Sequence, residues 1–186
     1  MDTILIRRAT GDDATAIAEV QVRTWRVAYR DLLPADHLAS LSVVLRERMW
    51  AQLLDPIRTP EHAAFVAVVD SRIVGFVSAG PAHDIDLGPG RPGEVYAIYV
   101  EPESWGDGVG RALLAAAVDL LQADDMDPLV LWVLEGNARA RAFYERAAWR
   151  LDGAARTETF GGEEAGEVRY RLARYGGQRV AADSGR

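Results

Sequence analysis

The sequence predicts an α/β protein, an α+β arrangement in which helices pack against one mixed sheet. Apolar runs of strand length alternate along the chain with longer segments whose apolar residues recur at helical spacing. The resulting order, β-α-α-β-β-β-α-β-α-β-β, is typical of a single sheet flanked by helices. At 186 residues the chain is long enough for one full core, and no internal repeat or linker divides it. We therefore expect one domain over residues 1–175 and a polar tail over residues 176–186.

The first half of the chain predicts a strand, two helices and a hairpin. Apolar residues alternate with other residues in the opening strand, residues 3–8. Thr10 and Asp13 then form a capping-box pattern at the start of a helix that reaches Tyr29. The remaining elements of this half are a second helix and the two strands of a tight hairpin, at residues 35–54, 63–69 and 72–80.

The second half predicts two strand–loop–helix units and a closing hairpin. A loop rich in glycine and proline, residues 83–93, precedes the first unit. The first unit has a strand at residues 94–100 and a helix at residues 111–122. The second has a strand at residues 128–134 and a helix after Asn137. The hairpin strands are expected at residues 149–158 and 167–172, around the pair Gly161-Gly162.

The composition is that of a globular protein without covalent cross-links. Hydrophobic residues make up 49% of the chain, and no apolar run is long enough to span a membrane. A net charge of −7 disfavours a nucleic-acid partner, and no leader sequence is evident, so we expect a cytoplasmic protein. The chain has no cysteine, which excludes disulfides and a thiol nucleophile. His83, Asp84 and Asp86 lack a second cluster of ligands, so no metal site is expected.

Three glycines at alternate positions, Gly106, Gly108 and Gly110, lie between a predicted strand and a predicted helix. Glycine allows close approach of a ligand, and the free N–H groups at the start of the next helix attract negative charge. On its own the pattern fits an anion cradle and a structural turn equally well. No Gly-Lys-Ser/Thr follows, and the spacing is not the G-x-G-x-x-G of dinucleotide-binding folds. A diphosphate held mainly by backbone amides is therefore the anion that fits best.

A second informative stretch lies one helix and one strand further on, where the apolar strand of residues 128–134 leads into residues 135–149. Together the two stretches resemble the GCN5-related N-acetyltransferase (GNAT) superfamily. That family combines a [Q/R]-x-x-G-x-[G/A] element, which binds the pyrophosphate of acetyl-CoA, with an Asn-x-x-Ala-x-x-[Phe/Leu]-Tyr element. The residues that match these two patterns are Gly108, Gly110, Asn137, Ala140, Phe143 and Tyr144.

The resemblance covers nearly the whole chain and implies the acyl-CoA N-acyltransferase fold. In that fold the fourth and fifth strands splay apart, and the pantetheine arm of acetyl-CoA lies between them. Acetyl-CoA is therefore the expected co-substrate, and backbone N–H groups of residues 98–100 are expected to polarise its thioester carbonyl. The residues expected to bind it are Ile98, Tyr99, Val100, Trp105, Gly106, Asp107, Gly108, Val109, Gly110, Arg111, Ala112, Asn137, Ala140 and Phe143.

The glycine loop departs from the family pattern at two positions. Trp105 stands where the family has Gln or Arg, so a side-chain contact from there to phosphate is lost. Asp107 places a carboxylate in the cradle, and Arg111 is expected to be the only nearby cation. Beyond the second helix, Ala148-Trp149 replaces the usual Gly-Phe.

Tyr144 and Glu94 are the expected catalytic residues. The resemblance implies that Tyr144 protonates the departing thiolate, whereas its helical spacing alone fits an ordinary core tyrosine. Glu94 is the best candidate for the base that takes a proton from the acceptor ammonium through water, with a surface glutamate as the alternative. Asn137 is expected to cap its helix and to leave its amide free for the cofactor.

The resemblance implies that Trp25 and Tyr29 line the acceptor pocket, with membership of the core as the alternative, and Tyr96 is a further candidate for this pocket. Tyr96 and Tyr99 are expected on opposite faces of their strand, so that one of them reaches the cleft. The expected reaction is direct transfer of acetyl to a primary amine of a small molecule. The alternatives are acetylation of protein N-termini or lysines, and a non-catalytic acyl-CoA-binding sensor. Family members are often dimers, which leaves a homodimer open.

Overall fold

A seven-stranded mixed sheet forms the centre of the protein, which is described over residues 3–172 by a computed structural model. The strands are β1 Leu5–Arg8, β2 Ala63–Val69, β3 Arg72–Pro81, β4 Gly93–Val100, β5 Leu129–Leu134, β6 Trp149–Phe160 and β7 Glu163–Leu172. Their spatial order is β1-β2-β3-β4-β5-β7-β6, with β4 and β5 parallel and the other neighbours antiparallel. The mixed α/β sheet expected from the sequence is therefore confirmed.

Five α-helices accompany the sheet within residues 3–172. They are α1 Ala14–Ala28, α2 Ala35–Ser40, α3 Val43–Leu53, α4 Val109–Ala123 and α5 Ala138–Arg146. The single helix predicted over residues 35–54 is wrong, because the backbone is extended at Leu41 and Ser42. The Ser42 side chain accepts a hydrogen bond from the backbone N–H of Leu45 and so starts a new helix.

The two faces of the sheet are covered by different helices. On one face α4 packs Leu113, Ala117 and Leu121 into a cluster with residues of β3, β4 and β5. On the other face α1 and α3 contribute Ile17 and Trp50 to a cluster with residues of β2 and β3. Each helix thus buries one apolar stripe, as their helical spacing requires. The strands that form the site are thus packed against helices on both faces of the sheet.

The parallel strands β4 and β5 separate after a short contact. They pair only from Gly93 to Val95 and from Leu129 to Leu131. Beyond this point β4 stays paired with β3 up to Val100, whereas β5 continues its pairing with β7. The splayed fourth and fifth strands expected from the resemblance are confirmed, and the gap leaves backbone donors and acceptors on β4 facing a cavity.

A β-bulge in β4 changes the direction of Tyr96. Ser78 pairs with Ala97 and Ala79 pairs with Val95, which leaves Tyr96 between them without a partner. Its ring stacks on His62, a neighbour of Trp50 on the α1–α3 side, and Tyr99 packs on that side as well. The prediction that Tyr96 and Tyr99 lie on opposite faces is therefore wrong, because a bulge interrupts the alternation of side chains.

The closing hairpin is longer than predicted. The strands β6 and β7 extend to Phe160 and from Glu163, and the turn between them has two glycines with left-handed backbone, φ 60° at Gly161 and φ 89° at Gly162. The predicted tail over residues 176–186 lies outside the described residues, so the domain limit at residue 175 stays a prediction.

Candidate active site

A cavity of about 1050 Å3 occupies the gap between β4 and β5. Its walls come from the end of α1, from β4, from the glycine loop, from β5 and α5, and from the β6–β7 hairpin. All but three of the predicted site residues line it. The exceptions lie around the glycine loop: Asp107 is exposed, Val109 is buried below the loop, and Ala112 lies one turn into α4.

Two residues of the glycine loop have a left-handed backbone conformation, which residues with a Cβ adopt only with strain. Gly106 and Gly108 have φ angles of 98° and 89°, and a Cβ built on either of them meets no atom within 4 Å. The first helical hydrogen bond of α4 runs from the N–H of Ala112 to the carbonyl of Gly108. The three preceding N–H groups, residues 109–111, consequently have no helical acceptor. Open space, a left-handed backbone and free donors together fit the diphosphate of acetyl-CoA.

The Trp105 side chain connects the glycine loop to the neighbouring strand. Its indole N–H donates to the carbonyl of Val100 at 2.7 Å, which ties the loop to the end of β4. The guanidinium of Arg139 lies 3.6 Å from the centre of the Trp105 ring. Arg139 and Arg146, both on α5, line the cavity together with Arg111. The prediction that Arg111 is the only nearby cation is therefore wrong, because α5 brings Arg139 onto Trp105 and adds Arg146 to the same cavity.

Asn137 caps α5 as predicted. Its side-chain oxygen accepts a hydrogen bond from the N–H of Ala140 at 3.1 Å, which satisfies one of the free donors of the helix start. Asn137 and Ala140 both line the cavity. The cap fixes the orientation of the amide, whose NH2 group is not used in the cap.

Tyr144 combines features of both interpretations made from the sequence. Its ring is 8% exposed and packs against Phe143, Trp149 and Tyr170, as a core residue would. It also lines the cavity. Burial raises the pKa of its hydroxyl, which keeps the group protonated and able to donate. Core packing thus fixes the ring of a residue that also lines the cavity.

Glu94 lies on β4 at the start of the gap and lines the cavity. Its pKa is raised from 4.5 to about 7, mainly because burial penalises the charged form and secondly because Asp84 adds a negative charge nearby. Arg156 and Arg169 oppose this shift. A carboxyl with such a pKa exchanges protons near neutral pH, which suits a general base.

Aromatic rings surround the other end of the cavity. Trp25 and Tyr29 lie on α1 and at its end, with their ring centres 5.0 Å apart. Tyr99 contacts both, and its hydroxyl oxygen lies 3.2 Å from that of Tyr29, close enough for a hydrogen bond. Tyr96 lines the cavity too, but its hydroxyl donates to the carbonyl of Pro81.

Sequence reasoning missed the residues that the hairpin and β5 bring to the cavity: Trp132, Arg156, Phe160 and Glu167. They belong to no motif; Trp132 comes beside β4 through the β4–β5 pairing, and the other three come there through the pairing of β5 with β7 and of β7 with β6. For Arg139 a signal existed, since it lies within the matched stretch, two residues after Asn137.

Splayed parallel strands, a glycine loop at a helix start, and a helix-capping Asn followed by a buried Tyr are the features of an acyltransferase that uses a CoA thioester. The sequence model of the acetyltransferase (GNAT) family matches residues 20–149. The chain therefore belongs to this family, as the resemblance implied. It is an N-acetyltransferase, and acetyl-CoA is its acetyl donor.

Relatives and solved structures agree with this assignment. An uncharacterised N-acetyltransferase of Bacillus subtilis is 33% identical over 135 residues, 72% of this chain and 73% of the relative. A mycothiol acetyltransferase of Clavibacter michiganensis is 42% identical over 99 residues, which cover 53% of this chain but only 30% of that protein. The PaiA N-acetyltransferase of Thermoplasma acidophilum, solved in complex with coenzyme A, has the same fold with a TM-score of 0.71 at 17% identity. That match covers 91% of this chain and 99% of the other.

Two negative findings apply to residues 3–172. No helix there is long and apolar enough to cross a membrane. Nor does that part of the chain contain a cluster of three or more His, Asp or Glu side chains able to hold a metal ion.

Proposed function

We propose that this N-acetyltransferase moves an acetyl group directly from acetyl-CoA to the primary amine of a small molecule, with Glu94 as base and Tyr144 as acid. One observation carries the proposal: both side chains line a single cavity, and Glu94 has a pKa of about 7 there. A base and an acid on opposite sides of one gap are what direct acyl transfer to an amine needs.

The cradle residues have separate tasks in this proposal. Free N–H groups at the start of α4 bind the diphosphate, while Arg139 and Arg146 supply positive charge beside it. The amide of Asn137 and the unpaired backbone of β4 are suited to the amides of the pantetheine arm. Bound acetyl-CoA supplies an activated acyl group, so no covalent enzyme intermediate is required.

The proton inventory of the transfer is balanced by the two catalytic residues. Glu94 takes a proton from the acceptor ammonium through water, and the neutral amine then forms the new C–N bond as the C–S bond breaks. Tyr144 donates its proton to the departing sulfur and is reprotonated by the second proton that the nitrogen loses as it becomes an amide, while Glu94 releases its proton to solvent. A free thiol has a pKa of about 8.5, lower than that of a phenol. Burial raises the pKa of the Tyr144 hydroxyl, so this transfer depends on the nitrogen, which becomes strongly acidic on acylation and returns a proton to Tyr144.

The acceptor is proposed to be a small molecule because the hairpin covers the acceptor end. Phe160 from β6 packs near Trp25, with ring centres 6.2 Å apart, and Leu33 lies beside them. These side chains border the acceptor end on several sides, which suits a small molecule better than an extended peptide. The similar proteins do not by themselves distinguish a small-molecule acceptor from a protein acceptor. Solved structures of this fold include a ribosomal-protein-alanine N-acetyltransferase of Brucella melitensis.

The test is release of CoA thiol from acetyl-CoA in the presence of a panel of small amines, a peptide with a free N-terminus and a lysine peptide. The chain suits this assay, because it has no cysteine to react with a thiol reagent and no lysine side chain that could itself accept acetyl. Thiol release that depends on a small amine, and acetylated product by mass spectrometry, are expected. Release with the peptides alone would show that the acceptor is a protein.

A further inference from the structure

The acceptor part of the cavity is lined mainly by aromatic rings. Trp25, Tyr29, Tyr99 and Phe160 lie at one end, with neighbouring ring centres 5.0–6.4 Å apart. Trp132 adds a fifth ring from β5. An apolar or aromatic acceptor binds favourably against such walls because apolar surface is removed from water on both sides. A hydrated polar acceptor has little apolar surface to bury there.

The charges of the cavity divide into two groups within residues 3–172. Three arginines lie at the cradle, on α4 and α5: Arg111, Arg139 and Arg146. Three charged residues lie on the acceptor side: Glu94, Arg156 and Glu167. The phosphates of acetyl-CoA are complementary in charge to the three arginines. The acceptor therefore has to be complementary to the three charged residues on its own side.

Two of the three charges on the acceptor side already neutralise each other. The Nε of Arg156 lies 2.7 Å from a carboxylate oxygen of Glu167, and its guanidinium lies 4.3 Å from the centre of the Trp132 ring. Glu158 lies 3.6 Å from the same Nε. Asp84, whose negative charge acts on Glu94, does not line the cavity; it accepts from the Trp132 indole and lies 3.6 Å from Arg169. Glu94 makes no ion pair with any residue of the described chain.

Resting on the proposed function, we infer that the acceptor is a monoamine with an aromatic or bulky apolar body. Glu94 is the one carboxylate on the acceptor side that has no ion-pair partner within residues 3–172, so it can pair with one ammonium group of the acceptor. A diamine would bring a second ammonium into a pocket that has no second free carboxylate for it. An amino acid would bring a carboxylate beside Glu94, where Arg156, the one cation within residues 3–172 that lines this side of the cavity, is already held by Glu167. Both would leave a desolvated charge unpaired.

The experiment compares kcat/KM for four acceptors with matched structures: 2-phenylethylamine, phenylalanine, ethylamine and 1,4-diaminobutane. Phenylalanine differs from the first only by its carboxylate, and ethylamine only by its missing ring. We expect 2-phenylethylamine to exceed each of the others by about tenfold or more, since the apolar contact and an unpaired charge are each worth at least that much.

Two charge variants test the electrostatic part of the inference. Glu167→Gln releases Arg156, so the ratio of kcat/KM for phenylalanine to that for 2-phenylethylamine is expected to rise about tenfold. Arg156→Gln leaves Glu167 unpaired, so the ratio for 1,4-diaminobutane to 2-phenylethylamine is expected to rise instead. A ratio measured on one preparation does not depend on the fraction of folded enzyme.

An aromatic variant tests the packing part. Phe160→Ala is expected to lower kcat/KM for 2-phenylethylamine several-fold more than for ethylamine. The control is Leu151→Ala, an exposed residue on the same strand that does not line the cavity, which is expected to leave the two acceptors in their original ratio.

The outcomes separate this inference from the proposed function. Preference for 1,4-diaminobutane or for phenylalanine over 2-phenylethylamine, or ratios that do not move in the charge variants, overturn the inference while amine acetylation stands. Thiol release with peptides alone overturns both.

Discussion

Replacement of Glu94 by glutamine has opposite expected effects on stability and on activity. Burial is the main reason that the pKa of Glu94 rises from 4.5 to about 7, so ionising this side chain in the folded protein is unfavourable. In the unfolded chain the carboxyl ionises near its ordinary pKa. Between these two values the folded protein binds more protons than the unfolded chain, and stability falls as pH rises.

The size of the effect follows from the two pKa values. A rise from 4.5 to about 7 corresponds to about 3 kcal/mol of stability that is lost progressively as pH increases from 4.5 to 7. Glu94→Gln has no charge to bury, so above pH 7 the variant is expected to be more stable than the wild type by up to that amount. For a chain of this size the difference raises Tm by roughly 6–12 °C. Below pH 4.5 the two proteins are expected to have equal stability.

The same substitution removes the proposed base, so acetyl transfer is expected to fall on the order of 10²–10⁴-fold above pH 7. Tm and initial rates of wild type and variant are measured together from pH 4 to pH 9. The ratio of wild-type to variant kcat/KM cancels the ionisation of the amine itself and is expected to rise with pH through an apparent pKa near 7. A ratio that stays constant across this range, or a variant that is destabilised at pH 8, would refute the reasoning.

Three further substitutions test the cofactor side and the acid. Tyr144→Phe keeps the packed ring and is expected to lower single-turnover acetyl transfer about 10²-fold with CoA affinity nearly retained; equal rates would make Tyr144 a packing residue only. Gly108→Val is expected to abolish the thermal stabilisation by CoA, which for wild type is about 2.7 kcal/mol at a hundredfold excess over Kd. Gly153→Val, at a glycine with φ 94° outside the cavity, controls for backbone strain and should keep CoA binding. Arg139→Gln is expected to weaken CoA binding about tenfold in a salt-dependent manner, whereas unchanged titration curves would leave its contact with Trp105 purely structural.

The sequence predicted the parts of the site that local chemistry determines. The alternate glycines, the Asn137 cap and the helix that carries Tyr144 are set by neighbours within a few residues, and the structure forms each of them. Trp132 and Phe160 could not be placed this way, because they reach the cavity only through strand pairing between distant segments.

Two local errors have local causes that a pattern of apolar residues does not reveal. A helical pattern continues through Leu41 and Ser42, yet the serine side chain caps a new helix there and breaks the first. Alternation along β4 predicts opposite faces for Tyr96 and Tyr99, yet one extra residue in the bulge reverses that assignment. Each error comes from a single residue. The sequence therefore predicted where helices and strands lie, but not the break within the helix or the bulge within the strand.

The departure of Trp105 from the family pattern is offset by its neighbours. Its indole N–H and the hydroxyl of Thr24 both donate to the carbonyl of Val100, at 2.7 Å and 3.3 Å, so the end of β4 is tied to the glycine loop and to α1. In place of the polar side chain that the usual Gln or Arg would provide, α5 supplies a cation, since Arg139 stacks on the same indole. A tryptophan here supports the loop and orients an arginine, which is why a cradle without its usual polar residue still suits an anion.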